Sequence, residues 1–393
     1  MVTYKRRRVG LLTESPEGTR FAYDESCRLP IACSLPIEPR DHYWQGGLHP
    51  FFQHLLAEGW LRGVQARAGR SLESDDFAFL LNYGSDCIGA VGVEPVDKSQ
   101  VAEPLRPTDD PVAETAIRSG RTLSGVHKKL LAWRDGAAYR PVAGADDVPT
   151  HIAKYNRDDI PTLVWNEDLS LRLARELLGA GAIAAARIGA LEGIEGQALL
   201  VERFDRVGAE RLRLEDFAQI LNRPRGPNND GKYKGSYEEV GAALVAHSAR
   251  PRIDLDRYFR LVLFNILIGN ADAHLKNFSL LESADGLRLS PAYDLVNSSV
   301  YTGQFDADTA LEIGGRKRPL DSIDRALLEE FAVTIGLPAS AARAAFDELA
   351  RRLSRSRTLE LPQLVARGDF RQRYRDIVLA QAARLFGTEG AKR

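Results

Sequence analysis

The sequence predicts an α+β protein in two lobes, an α/β N-terminal part followed by a mostly helical C-terminal lobe. Three observations carry that expectation. Short strand-like runs bounded by glycine and polar turns dominate up to about residue 206. Helical periodicity dominates beyond it, including a stretch over residues 254–268 that is apolar nearly all round. The 393 residues also exceed what one small core organises, so two or three domains are expected.

Residues 1–94 read as one mixed unit. VGLL, RFAY and CIGAVGV are strand-like, and Pro50 to Arg62 (PFFQHLLAEGWLR) has helical spacing with Phe51, Leu55 and Leu56 on one face. Residues 95–121 change character, since Pro95, Pro104, Pro107 and Pro111 lie among polar residues, and a linker is expected. Residues 122–206 read strand, strand, helix, strand. KKLLAW and THIAKY are short strands, and Asn166 to Leu178 is an amphipathic helix with Leu169, Leu173 and Leu177 four residues apart. Asn166 is placed to cap its start and Gly179 its end. ALLVERFDR then begins as a buried strand. Residues 207–393 are mostly helical, with segments at 254–268, 325–335, 340–353 and 369–385. The runs NFSLL and LRLS read as a hairpin, while Asn222 to Ser236 and the final GTEGAKR are expected to be mobile.

Composition excludes several classes. Fifty-three basic residues against 54 acidic ones leave a net charge of −1, which gives no support to a broad nucleic-acid or membrane surface. Three cysteines (Cys27, Cys33, Cys87) cannot all pair, and no C-x-x-C spacing occurs, so a reducing compartment is expected. The opening MVTYKRRRVGLLTESPEG has no apolar run suited to a signal peptide, and no stretch is long enough to span a bilayer. A cytoplasmic location is therefore expected. Only ten of the basic residues are lysines, so a lysine at a special place is informative.

The strongest chemical signal is IGNADAHLKN, directly after the buried helix. Asp272 precedes Asn277 by five residues, the spacing of a protein-kinase catalytic loop. In such a loop a carboxylate orients or accepts the attacking hydroxyl's proton, and an amide holds magnesium on the phosphates. Lys276 lies between them, where a cation can neutralise charge on the transferring phosphoryl group. Asp294, after the expected hairpin, occupies the place of the second metal-binding carboxylate, with Tyr293 before it and Leu295 after it. Upstream, alternation puts Lys154 on the same face of THIAKY as Ile152, where an ammonium could hold ATP phosphates. Glu167 is its candidate helical partner and Glu176 the second choice. A glycine-rich G-x-G-x-x-G loop is missing; SGVHKK (Ser124 to Lys129) stands in its place.

Together SGVHKK, THIAKY, LLVERFDR, EDFAQIL, GNADAHLKNFSLL and LSPAYDL resemble the HipA family of bacterial serine/threonine kinases, the toxin half of HipBA toxin–antitoxin modules. VGLL, RFAYD, PFFQHLLAEGWLR and DCIGAVGVEP resemble that family's N-terminal subdomain, so the likeness runs from about Val9 to Leu320. The resemblance implies a bilobal protein-kinase-like fold with ATP in the cleft. It implies Asp272 as catalytic base, Asn277 and Asp294 on magnesium, and Lys154 and Lys129 near ATP phosphate. His274 would lie near the nucleotide, and Glu202 and Phe204 would offer backbone groups to the adenine as a hinge. Thr122 and Ser124, in RTLSGVHKK, match the family's T-x-S positions of inhibitory autophosphorylation. Two departures stand out: His127 replaces the usual Gln, and Ala271 precedes the catalytic Asp, so the arginine of an HRD motif is lacking.

The resemblance further implies a small helix-turn-helix antitoxin (HipB-like), operator DNA reached through that partner, and a translation component such as an aminoacyl-tRNA synthetase as substrate. Two other readings compete. One is a metal-dependent hydrolase built on Asp272, His274 and Asp294, which leaves Lys154 unexplained. The other is a non-catalytic ATP-binding corepressor scaffold acting with a DNA-binding partner.

Overall fold

Contacts in the computed structural model divide the chain into two units, Met1–Pro161 with Arg187–Gly231, and Thr162–Ala186 with Lys232–Arg393. The structure describes residues 1–69, 71–97, 110–123, 128–142, 147–360 and 368–387. The units do not follow the domain boundaries read from the sequence. Residues 207–231 group with the first unit, and the helix of residues 163–178 groups with the second.

The first unit holds two antiparallel-rich sheets. Strands β1 (Val2–Tyr4), β2 (Arg7–Ser15), β3 (Gly18–Tyr23) and β4 (His42–Gln45), with β5 (Val91–Val93), form a sheet in the order β4-β3-β2-β1-β5. Helices α1 (Pro50–Gln53), α2 (Gly59–Gly69) and α3 (Asp76–Tyr83) connect β4 to β5. Phe21, Phe51, Phe52, Leu55 and Phe79 fill the core beside this sheet. The single helix expected over residues 50–62 is therefore two. Gly59 sits at φ +53, a left-handed conformation that no continuing right-handed helix accommodates. Only the last three residues of CIGAVGV are strand.

The expected linker contains a helix, α4 (Pro111–Arg118), started by the Asp110 side chain on the Val112 and Ala113 N–H groups and by Pro111 in the first turn. Residues 98–109 of that linker lie outside the described residues. The second sheet runs β7-β6-β8-β10-β9, built from β6 (Lys129–Asp135), β7 (Ala138–Pro141), β8 (His151–Lys154), β9 (Ala186–Gly189) and β10 (Ala198–Glu202). Leu130, Ala132, Ala153, Ala198 and Leu200 point into its core together with Leu61. Short strands β11 (Arg206–Val207), β12 (Glu210–Arg211) and β13 (Leu214–Asp216) follow.

Helix α5 (Leu163–Leu178) belongs to the second unit and α6 (Phe217–Ile220) to the first. Helix α5 starts three residues earlier than expected, so Asn166 is not its cap. Asn166 is fully buried, its side chain donating to the Asn297 carbonyl and accepting from the Asn297 N–H. At the other end Gly179, at φ +94, closes the helix as expected.

Helices α7 (Tyr237–His247) and α8 (Pro251–Leu267) form the centre of the second unit, followed by the hairpin β14 (Ser279–Ser283) and β15 (Gly286–Leu289) that the sequence predicts. The apolar α8 is buried, with Tyr258 and Phe259 packed against Phe278, Phe331 and Phe346. Its first turn carries a fully buried carboxylate, Asp254, held by Ser248, Arg257, Arg288 and the Leu289 N–H, which ties the helix to β15. Helices α9 (Arg325–Thr334), α10 (Ala339–Leu353) and α11 (Gly368–Phe386) complete the lobe close to their expected bounds. Within the stretch expected to be mobile, Asp230–Tyr233 forms a 3-10 turn; residues 388–393 are outside the described ones.

Candidate active site

The second unit brings Asp272, His274, Lys276, Asn277 and Asp294 into one loop region. Helix α8 closes at Ile268, Gly269 (φ +73) turns the chain away from it, and that turn is pegged by hydroxyls. Ser298 Oγ accepts from the Ala271 N–H at 2.8 Å and donates to the Gly269 carbonyl at 3.2 Å. Ser299 Oγ donates to the same carbonyl at 2.9 Å. Asn270 then reads both ways along the chain, its amide donating to Asn265 Oδ1 and its oxygen accepting from the Asp272 N–H. These bonds fix the backbone that presents Asp272 without any arginine at position 271.

Asp272 is half-buried, and its Oδ1 accepts a 2.8 Å hydrogen bond from the Tyr233 phenol. Burial pushes its carboxyl up to about 6, helped by the negative charges of Asp294 and Asp306; the Tyr233 bond and the Lys232 ammonium pull the other way. His274 is buried, with its ring edge-on to Tyr233 at 5.1 Å between centroids. Lys276 and Asn277 form a buried 3-10 turn. The Asn277 oxygen accepts from the His274 N–H at 3.0 Å, and its amide donates to Asp294 Oδ2 at 2.9 Å. Asp294 itself stands at φ +58, a region that non-glycine residues enter rarely and chiefly at constrained sites. Tyr293 braces the same turn, donating to the Lys276 carbonyl at 2.8 Å.

Asn277 and Asp294 supply amide and carboxylate oxygens, the hard donors that magnesium takes. Among the described residues no group of three or more His, Cys, Asp or Glu side chains is arranged to hold a metal alone. A pair of protein oxygens fits an ion that keeps waters and phosphate oxygens in most of its shell. Glu167 is buried on α5. Glu176 is committed elsewhere, accepting from Ser356 Oγ at 2.5 Å and Thr358 Oγ1 at 2.8 Å.

The first unit carries the remaining candidates. Lys154 is half-buried on the same face of β8 as Ile152, while His151 and Ala153 face the interior. Lys129, at the start of β6, is directly opposite Lys154 in the antiparallel register. Glu202 ends β10 exposed and opposite His151, and Phe204 follows half-buried. Thr122 is 1% exposed, its hydroxyl buried with no hydrogen-bond partner among the described residues. Ser124 and His127 lie outside the described residues.

Sequence reasoning missed Tyr233, which falls in the segment expected to be mobile. Its signal was an aromatic residue between two lysines in a run otherwise rich in Gly, Asn and Pro. It also missed a buried ionic network in the first unit. Asp86 accepts from Arg206 (2.9 Å), Arg211 (3.0 Å) and Arg121 (3.2 Å), and Asp205 from Arg203 and Arg206 (both 2.7 Å). Burial alone would raise the Asp205 carboxyl, but these guanidiniums and the Gly89 N–H hold it at about 2.

Comparison with known proteins gives this arrangement its context. A family model described as the HipA-like C-terminal domain matches residues 121–356, and the HipA N-terminal domain matches residues 1–94. This chain belongs to the HipA family. Y4mE of Sinorhizobium fredii, a protein named as a kinase, is 30% identical over 346 residues, 80% of each chain. The serine/threonine-protein kinase toxin HipA of Shewanella oneidensis is 28% identical over 355 residues, 80% of this chain and 78% of that one. In three dimensions the chain matches one from the solved complex of Shewanella oneidensis HipA, HipB and operator DNA. The TM-score is 0.76 at 24% identity, over 98% of this chain and 97% of that one. The fold is thus the protein-kinase-like fold of HipA, with mixed sheet and helix as the sequence predicts. Among the described residues no helix is long and apolar enough to cross a membrane.

Proposed function

We propose that this chain is an ATP- and magnesium-dependent serine/threonine protein kinase, the toxin of a type II toxin–antitoxin pair. The observation that carries the reading is the 2.9 Å bond joining Asn277 to Asp294 in the same loop region as a half-buried Asp272. In this reading Asp272 accepts the proton of the attacking hydroxyl, and Lys276 neutralises charge on the phosphoryl oxygens. Asn277 and Asp294 hold magnesium, which when bound offsets the negative charge of the phosphates. Lys154 and Lys129, which stand opposite each other in the sheet, take phosphate charge. Glu167 is the proposed carboxylate partner of Lys154. Glu202 and Phe204 present backbone groups to the adenine, and His274 lines the nucleotide.

The reading includes self-inhibition by phosphorylation at Thr122 or Ser124. A phosphate carries nearly two negative charges, which would repel nucleotide beside Lys129. Because Thr122 is buried, its modification requires the segment to leave its packing first. A HipB-like helix-turn-helix partner, contact with operator DNA through it, and a substrate in translation rest on family membership and on the composition of the Shewanella complex. A cytoplasmic location rests on the same ground.

The test is intact mass with phosphopeptide mapping, on the wild type and Asp272→Asn, after incubation with magnesium and ATP. Gain of one phosphate at Thr122 or Ser124, absent in the variant, is the expected result. If an unphosphorylated sample binds ATP yet gains nothing, and transfers nothing to a translation extract, the kinase reading falls. The ATP-binding scaffold acting with a DNA-binding partner then replaces it.

A further inference from the structure

Tyr233 touches the central carboxylate of the site, yet no motif points to it. Its phenol donates to Asp272 Oδ1 at 2.8 Å. The ring is held from three sides: His274 meets it edge-on at 5.1 Å, and the Lys232 and Lys317 ammonium groups lie 5.3 and 5.5 Å from its centroid. The backbone just after it is equally fixed. Ser236 and Glu239 form a reciprocal capping box, and Ser236 pairs with Glu312 in a bridge. Tyr237, four residues on, donates to the Ala273 carbonyl at 3.0 Å, next to Asp272 itself.

A carboxylate turns about its last bond unless something holds one oxygen. Here the Asp272 N–H is taken by Asn270 Oδ1 and the side-chain Oδ1 by Tyr233. The other oxygen, Oδ2, accepts no hydrogen bond from a described residue. It is the oxygen left to meet an incoming hydroxyl. We propose that Tyr233 is a positioning residue for phosphoryl transfer, clamping Oδ1 so that Oδ2 of Asp272 faces the acceptor hydroxyl. This rests on the assignment of Asp272 as the base. The tyrosine does the work by geometry. A base set within a few tenths of an ångström of its partner transfers a proton that a freely turning one does not, and a 1 Å misplacement costs about 100-fold in rate.

The test is Tyr233→Phe, which removes one oxygen and keeps the ring between His274 and the lysines. Three quantities are read on the full chain: the rate of phosphate gain by intact mass with magnesium and ATP, the affinity for magnesium–ADP by calorimetry, and the melting temperature. The expected result is a rate lowered about 10- to 100-fold, with ADP affinity within twofold of wild type and an unchanged melt. A rate, affinity and melt that fall together would make Tyr233 structural only. An unchanged rate would make the phenol a bystander, and a raised rate would mean that it competes with the acceptor for Asp272; each overturns the proposal. Wild type that transfers nothing defeats the kinase assignment as well, which separates that failure from a failure confined to Tyr233.

Discussion

Removing the Asp86 carboxylate should destabilise the first unit strongly. Asp86 is shared by Arg206, Arg211 and Arg121, whose side chains are 4%, 8% and 6% exposed. With Asp205 it faces four guanidiniums, those of Arg121, Arg203, Arg206 and Arg211. In Asp86→Ala, Arg206 keeps Asp205 and the Cys87 and Gly89 carbonyls. Arg211 is left with a long 3.4 Å bond to the Ser85 carbonyl. Breaking one side of a buried ion pair costs about 3–5 kcal/mol, because the remaining charge is stranded. Asp86→Asn keeps the shape and an accepting oxygen, so its cost should be about half. Urea unfolding followed by tryptophan fluorescence suits the measurement, since Trp44, Trp60 and Trp133 lie in the first unit and only Trp165 in the second. With a slope of about 2–3 kcal/mol per molar, the midpoint for Asp86→Ala should drop by about 1–2.5 M. A drop below about 0.3 M would refute the reasoning and mean that water replaces the carboxylate at little cost.

Two pH-dependent predictions follow from the carboxyls of each unit. Asp205 is held at about 2 in the fold, below the ordinary 3.8, so its contribution is full above pH 3.8 and is lost as pH falls through about 2. Asp205→Asn should therefore be less stable than wild type at pH 7, with the gap closing in acid-unfolding curves below pH 3.8. Asp272 is the opposite case: raised to about 6, its ionisation costs stability that is spared below pH 3.8 and incurred as pH rises through about 6. Metal-free Asp272→Asn should melt higher than wild type at pH 8, by up to about 3 kcal/mol in stability, and equal it at pH 4. A melt that is lower at both pH values would count against a strained carboxylate.

What was legible in the chain follows from the range of the forces involved. Helix α8 and the hairpin β14–β15 could be read because burial all round and turn residues are local signals. The triplet Asp272, Asn277 and Asp294 could be read because one loop and one hairpin set their spacing. Tyr233 could not, because its partner lies 39 residues away and the flanking lysines alone do not point to Asp272. Asn166 was misread for the same reason. A polar residue at a helix start is usually a cap, and only the distant Asn297 backbone makes it an interior anchor. The ionic network joins Asp86 to Arg206 across 120 residues, and in sequence each member resembles an ordinary surface charge. The break at Gly59 was hidden because apolar spacing continued across it.

The course of the chain between its units has a consequence for synthesis. Helix α5 leaves the ribosome well before the rest of its unit, because residues 187–231 come next and belong elsewhere. The hydroxyls that satisfy Glu176 arrive 180 residues later, on Ser356 and Thr358. At about 5–20 residues per second that is a wait of roughly 10–40 s; α8 is complete only about halfway through it and α10 near its end. A nascent chain of this protein therefore passes through a prolonged stage with a finished helix and no core to bury it, the stage at which chaperone capture and aggregation compete. Ending the chain before α8 would make that stage permanent.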